Sequence, residues 1–241
     1  MDSIKLQKYF SDCGIMSRRA AEAAISSGKV KVNGESAYLG MRIDPNQDRV
    51  EYNGKIVAPL RDKKTYIMLN KPRGYVTTMS DEKNRPTAVS LLKGCHTRVY
   101  PVGRLDMDSD GLLLFTDDGE LTNKLTHPRH NIPKIYHVTV KGMVEEEKLR
   151  ILRSPMVIDG YEILPVKTEL VGYDKESKTS TLEMTLFEGR NRQIRKMCDT
   201  ASLNITRLSR ISMGSLSLGE LPLGKWRYLT EEETNYIKNN S

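Results

Sequence analysis

The run Gly103-Arg104-Leu105-Asp106-Met107-Asp108-Ser109-Asp110-Gly111 sets a carboxylate close to a guanidinium between two strand-like segments, Val99 to Val102 and Leu112-Leu113-Leu114-Phe115. A short polar connection between strands sits on a rigid frame, the usual setting for a reactive side chain. The leading reading is a catalytic aspartate at Asp106. The same letters allow another: Asp106, Asp108, Asp110, Gly111 and Asp117 fall at the first, third, fifth, sixth and twelfth positions of a calcium-binding loop. Its flanks argue against it. Arg98 to Gly103 carries Pro, Gly and strand formers where a helix should enter, and Asp117 stands where the longer Glu belongs. Asp108 and Asp110 are then expected to be solvated turn residues.

Charge points to a polyanionic partner. The 241 residues carry a net charge of +7, and 29% of them are charged against 38% hydrophobic, an ordinary globular balance. The excess is concentrated: from Arg190 to Arg210, six cations (Arg190, Arg192, Arg195, Lys196, Arg207, Arg210) stand against Asp199 alone. Cys13, Cys95 and Cys198 are odd in number and show no paired spacing, and the four histidines have no ligand spacing with them. This fits a reducing cytoplasm and neither a disulfide framework nor a zinc site. No cationic leader followed by an apolar run opens the chain, and no stretch approaches the roughly 20 apolar residues of a membrane span.

The elements that must position these groups fall into two regions. Apolar residues recur at helical spacing over Lys5 to Phe10 and Ser17 to Ile25, with Gly14 as a stop and Ser17 as an N-cap. Lys29 to Val32 runs into Asn33-Gly34 and Val50 to Tyr52 into Asn53-Gly54, the mark of hairpins. A charged connector, Arg61-Asp62-Lys63-Lys64, separates this unit, residues 1–60, from a larger one, residues 63–241. There, strands are expected over 66–69, 75–78, 99–102, 112–116, 135–140, 182–187 and 206–213, and helices over 120–125, 145–152, 192–197 and 231–237. The mixed order predicts an α+β fold on a mixed, mainly antiparallel sheet.

Lys5-Leu6-Gln7-Lys8-Tyr9, Gly14 to Ala21 and Gly28 to Gly34 resemble the S4 RNA-binding module, a small α/β domain. Leu69-Asn70-Lys71-Pro72-Arg73-Gly74, Gly103-Arg104-Leu105-Asp106, Leu112 to Leu121, Lys134-Ile135-Tyr136-His137-Val138 and Glu188 to Met197 resemble the pseudouridine synthases, nearest the ribosomal branch that joins an S4 module to the catalytic domain. The resemblance implies cleavage of the bond from ribose C1′ to uracil N1, rotation of the base, and bonding of C1′ to C5, with no cofactor and no metal. It makes Asp106 the essential carboxylate, buried and held ionised by an ion pair with Arg195, and sets Tyr136 against the target base. Arg195 on its own could equally be a surface phosphate contact.

RNA contacts are expected from Lys5, Lys8, Arg18, Arg19 and Lys29 in the first unit. In the second they are expected from Lys71, Arg73, Arg104, Lys134, Arg190, Arg192 and Lys196, with Arg104 able instead to brace its loop. The implied partner is ribosomal RNA or an assembling ribosomal particle. The Asn70-Lys71-Pro72 phrasing and the ending Leu221 to Arg227 look more like the large-subunit enzymes, a resemblance that favours large-subunit RNA over the alternative, the same chemistry on small-subunit RNA. A cytoplasmic monomer is expected. The rival reading is a non-catalytic RNA-binding or ribosome-assembly factor.

Overall fold

Ser17 caps the second helix as its sequence predicts, its hydroxyl oxygen accepting from the Ala20 N–H at 3.2 Å, in a computed structural model that describes residues 3–58 and 64–239. The first unit runs in the order β1 (Ile4–Lys5), α1 (Leu6–Asp12), α2 (Arg18–Ser26), β2 (Val30–Val32), β3 (Glu35–Ser36), β4 (Arg42–Ile43), β5 (Val50–Tyr52) and β6 (Lys55–Ile56). Asn33-Gly34 and Asn53-Gly54 take positive φ and turn two of its hairpins, β2–β3 and β5–β6. Leu6, Phe10, Ile25, Val30, Ile43 and Val50 close its core. Lys64, Thr65, His96–Arg98 and Asp117–Gly119 also belong to this unit. Most of the expected connector, Arg61 to Lys63, lies outside the described residues.

The second unit continues with β7 (Tyr66–Lys71), β8 (Tyr100–Val102), β9 (Asp110–Thr116), α3 (Gly119–Thr126), β10 (Lys134–Lys141), α4 (Glu146–Arg153), β11 (Val157–Ile158) and β12 (Tyr161–Glu162). Then come β13 (Lys167–Asp174), β14 (Thr179–Leu186), α5 (Gln193–Thr200), β15 (Ile205–Met213), β16 (Leu216–Ser217), β17 (Trp226–Tyr228) and α6 (Glu231–Asn239). Its nine-stranded sheet has the order β13-β14-β10-β15-β9-β7-β17, with β16 on β15 and β8 on β9. Among its described pairs only β15 with β9 is parallel, so the sheet is mixed and mainly antiparallel, as expected.

Side-chain alternation explains the layers. On β7 and β9, Met68, Leu112 and Leu114 face one cluster with α3 and α6, while Ile67, Leu69, Leu113 and Phe115 face another with Ala88, Leu92 and Leu105. The unbroken apolar run Leu112 to Phe115 is therefore a strand covered on both faces. A third cluster joins β10, β14 and β15 to α4 and α5 through Val138, Leu182, Leu208, Leu152 and Met197. At the parallel seam, Gly111 (φ +106°) lies so close to β15 that a β-carbon there would stand 2.3 Å from the Arg210 carbonyl oxygen.

Two expectations change here. The segment 75–78 forms no described strand but a single bridge, Val76 with Thr87, because Pro72 and Gly74 break the extended run. The calcium loop cannot close: Asp110 to Thr116 is extended strand and carries Asp117 away from Asp106, and the Asp117 carboxylate accepts from the Thr65 N–H at 2.7 Å. No described helix is long and apolar enough to cross a membrane.

Candidate active site

Lys71 ends β7 with a fully buried side chain. Its ammonium donates to the carbonyl oxygens of Pro72 at 3.1 Å, Asp106 at 3.0 Å and Ser109 at 2.8 Å. Burial pushes its pKa down to about 8 against the opposing pull of Asp110, Asp106 and Asp108. Thr77 adds a second clamp, its hydroxyl donating to the Leu105 carbonyl and accepting from the Leu105 N–H, and the Gly74 N–H reaches the Met107 carbonyl at 2.8 Å. The connection from β8 to β9 is thus fixed along its length.

From this frame Asp106 projects with 33% of its side chain exposed. Its guanidinium partner is Arg192, whose Nη1 lies 3.6 Å from Oδ2 and 3.3 Å from Asp108. Both expectations for this pair therefore need correction. Asp106 is half-buried rather than buried. Arg195 does not pair with it: Nη2 of Arg195 contacts the Asp108 carboxylate at 3.2 Å, the Asp108 carbonyl at 3.0 Å and the Ser109 hydroxyl at 3.2 Å. Arg192 precedes α5 as its N-cap in the left-handed region (φ 51°), whereas Arg195 lies within the helix.

A buried carboxylate in this region is Asp110, 5% exposed, between Arg73 Nε at 3.4 Å and Arg207 Nε at 3.1 Å. It is not the solvated turn residue expected, since it opens β9 beside β15. Arg73 also donates to the Thr206 carbonyl at 2.7 Å, so its guanidinium ties strands together while 43% of the side chain stays exposed.

Asp106 and Tyr136 line one cleft of about 340 Å³, with Arg104, Leu105, Leu186, Glu188, Arg190, Arg192 and Leu208 among its other walls. Tyr136 reaches it from β10, opposite Met184 and Arg210 on the flanking strands. Glu188, which the sequence reading included in a resembling run but gave no site role, is buried and accepts from the Leu164 N–H at 3.0 Å, Gln193 Nε2 at 3.2 Å and Arg190 Nε at 3.3 Å. Gln193 returns its oxygen to the Arg190 N–H at 3.1 Å, closing the turn into α5. A lone carboxylate at the edge of a cationic run was the available signal.

The remaining predicted contacts divide by exposure. Lys134 is buried, its ammonium donating to the Ile132 carbonyl at 2.9 Å, because it points inward where β10 meets β14 and β15. Like Lys71, it is corrected from an RNA contact to an internal brace. Lys196 pairs with Asp159, and Lys8 with Asp12 at 2.7 Å. Lys5, Arg18, Arg19, Lys29 and Arg104 are exposed.

Chemically, the cleft offers an aspartate with a guanidinium beside it, a tyrosine and apolar walls, a setting for stabilising positive charge at a sugar carbon. Comparison with known proteins agrees. The RNA pseudouridylate synthase family model matches residues 65–200 and the S4 domain model residues 5–49. The ribosomal large subunit pseudouridine synthase B of Bacillus subtilis is 39% identical over 97% of this chain and 95% of its own length. The dual-specificity RNA pseudouridine synthase RluF of Escherichia coli is 38% identical over 96% of this chain and 77% of its own. A pseudouridylate synthase crystal structure superposes with a TM-score of 0.68 at 28% identity, covering 98% of this chain and 100% of that one. The chain belongs to the RNA pseudouridylate synthase family, in its S4-bearing branch, and is an isomerase that makes pseudouridine in RNA.

Proposed function

We propose that this enzyme acts on a uridine of ribosomal RNA, in the large subunit, and that Asp106 is its catalytic carboxylate. One observation carries the assignment of the acid. Two carboxylates line the cleft, and Glu188 is buried with both oxygens engaged, whereas Asp106 is exposed enough to meet a ligand and has, among the described residues, a single ion-pair partner, Arg192. The large-subunit reading is supported by the Bacillus subtilis relative, and a polyanionic substrate by the net charge of +7.

In the proposed reaction the C1′–N1 bond breaks, the uracil turns within the cleft, C1′ bonds to C5, and the C5 proton is lost as N1 gains one. Asp106 supplies the anion that traps or stabilises the sugar cation, or removes the C2′ proton. Arg192 pairs with that carboxylate, and Arg195 braces the loop through Asp108 and Ser109. The ring of Tyr136 lies against the base, and extrusion of the nucleotide from folded RNA is offset by backbone contacts from the exposed cations. Residues 1–60 and 63–241 are the proposed functional divisions, as RNA grip and catalytic domain. The buried free thiols of Cys13 and Cys198 suit a cytoplasmic enzyme, and we propose that it works as a monomer.

The test is a map of pseudouridine in ribosomal RNA from cells lacking the protein, complemented with wild type or Asp106→Asn. One large-subunit uridine should lose its modification and regain it with wild type alone. Recovery with Asp106→Asn would remove the assigned role.

A further inference from the structure

The two-residue strands β11 and β12 form a small hairpin whose turn, Asp159-Gly160, has positive φ at both positions. Ile158 and Ile163 anchor it in the core beneath α4 and α5, and Lys196 grips the turn through its ion pair with Asp159. Tyr161 is left 49% exposed on the outside. The Arg190 guanidinium carbon lies 3.1 Å from the centre of the Tyr161 ring. Glu188 fixes both partners from below, accepting from Arg190 Nε and from the Leu164 N–H that follows the hairpin. Arg190 also lines the cleft that holds Asp106 and Tyr136, and its terminal nitrogens have no hydrogen-bond partner among the described residues.

The guanidinium carbon stands over one side of the tyrosine ring, and 36% of the Arg190 side chain is exposed. In single-stranded RNA recognition, aromatic rings and guanidinium planes are the surfaces on which unstacked bases lie, and such stacking tolerates any base. A nucleotide drawn into the cleft leaves its neighbour unstacked at the rim, where this pair stands. We propose that Tyr161 and Arg190 form a preassembled platform that stacks the nucleobase next to the target uridine. The inference rests on the Asp106 cleft being the uridine pocket. The platform lowers the cost of extrusion by giving the neighbouring base a new stacking partner, and it acts on binding rather than on the bond-making step.

The experiment uses the full chain and a large-subunit ribosomal RNA fragment carrying the mapped uridine, with 2-aminopurine on its 5′ or 3′ side. In the Asp106→Asn background, the fluorescence of one of the two labelled positions should be quenched on binding. The quench should survive Tyr161→Phe and disappear with Tyr161→Ala and with Arg190→Lys, which keeps the charge and loses the plane. With Asp106 restored, both disruptive variants should raise KM about tenfold with kcat within about twofold, and an abasic neighbour should cost wild type the same factor and the variants nothing more. Arg190→Lys carries the test if Tyr161→Ala fails to fold. Full activity and quenching in Arg190→Lys would show an ordinary phosphate contact and overturn the platform. A fragment that wild type isomerises with no quench at either position refutes the platform alone, whereas one that is bound but never isomerised removes the uridine-pocket reading and the platform with it.

Discussion

The Lys71 ammonium lies 3.0 Å from the carbonyl oxygen of Asp106 and 2.8 Å from that of Ser109, so the loop bearing the cleft carboxylate hangs from the end of β7. Lys71→Met fills the same space but leaves these carbonyls unpaired, at about 1–3 kcal/mol each, partly offset by removal of a buried charge. Stability should fall by a few degrees in Tm. Single-turnover rate should fall about 100-fold, because a shift of ~1 Å in a reacting group has that effect. A variant that melts lower yet reacts at the wild-type rate would show that the loop keeps its shape without this anchor.

Arg192 and Arg195 should separate by phenotype. The Arg192 side chain is 44% exposed and meets Asp106 and Asp108, whereas that of Arg195 is 15% exposed and meets the Asp108 backbone and Ser109. Arg192→Ala should leave Tm unchanged and slow turnover by about tenfold, the scale of one lost charge-assisted contact. Arg195→Ala should lower both Tm and turnover, since it removes a loop brace. Urea melts read beside single-turnover rates check this, and a destabilised Arg192→Ala would contradict it.

Burial pushes Lys134 down to about 8 from an ordinary 10.5, with the nearby Arg210 adding to the shift. Between these values the unfolded chain holds a proton that the folded chain has shed, so stability rises with pH through that window; below it, the cost of the buried charge is fully present. Lys134→Met has no such titration, and Lys71 contributes equally to both proteins. Wild type should therefore gain on the variant by a few kcal/mol from about pH 7 to about pH 10 in urea unfolding. A difference that stays flat with pH would show that the ammonium is better solvated than its surroundings imply.

Sequence patterning carried the strands and the helices because each shows its period or its turn chemistry locally. Leu112 to Phe115 is unbroken apolar and is covered on both faces, and Asn33-Gly34 turns where its type requires. β13 escaped because six of its eight residues are exposed, which leaves no inward alternation to find. The side chains of the site were harder for a different reason. A lysine after an apolar run suggests a surface charge, and only the three carbonyls gathered around Lys71 make its burial tolerable. Arg73, Asp110 and Arg207 come from three distant segments, so nothing local announces their ion pairs. Arg192 and Arg195 lie three residues apart at the start of one helix, and only the folded geometry, invisible in the letters, tells which of them meets Asp106.

Gly111 joins the two halves of the sheet and gives the sharpest stability prediction. Its φ of +106° is one that side chains rarely adopt, and an added β-carbon would stand 2.3 Å from the oxygen, 2.7 Å from the nitrogen and 2.9 Å from the carbonyl carbon of Arg210. These are backbone atoms of a central strand and cannot swing aside as a side-chain tip would. Gly111→Ala must therefore part β9 from β15, disturbing the adjoining Asp110 ion pairs and the hydrogen bond from Arg210 Nε to the Leu112 carbonyl. The combined strain and lost pairing place the cost above about 4 kcal/mol, in the range reserved for disrupted cores and forced backbones. The protein should be insoluble or melt more than about 8 °C lower, on the scale of 2–4 °C per kcal/mol for a domain of this size. Gly103→Ala offers the contrast: its added carbon would meet only the Thr126 methyl at 3.4 Å, so it carries the positive-φ strain (φ +69°) without the collision. It should cost about 1–2 kcal/mol in the same melt. Equal melting of the two variants would mean that conformation alone, and not the close approach of β9 to β15, requires glycine at the seam.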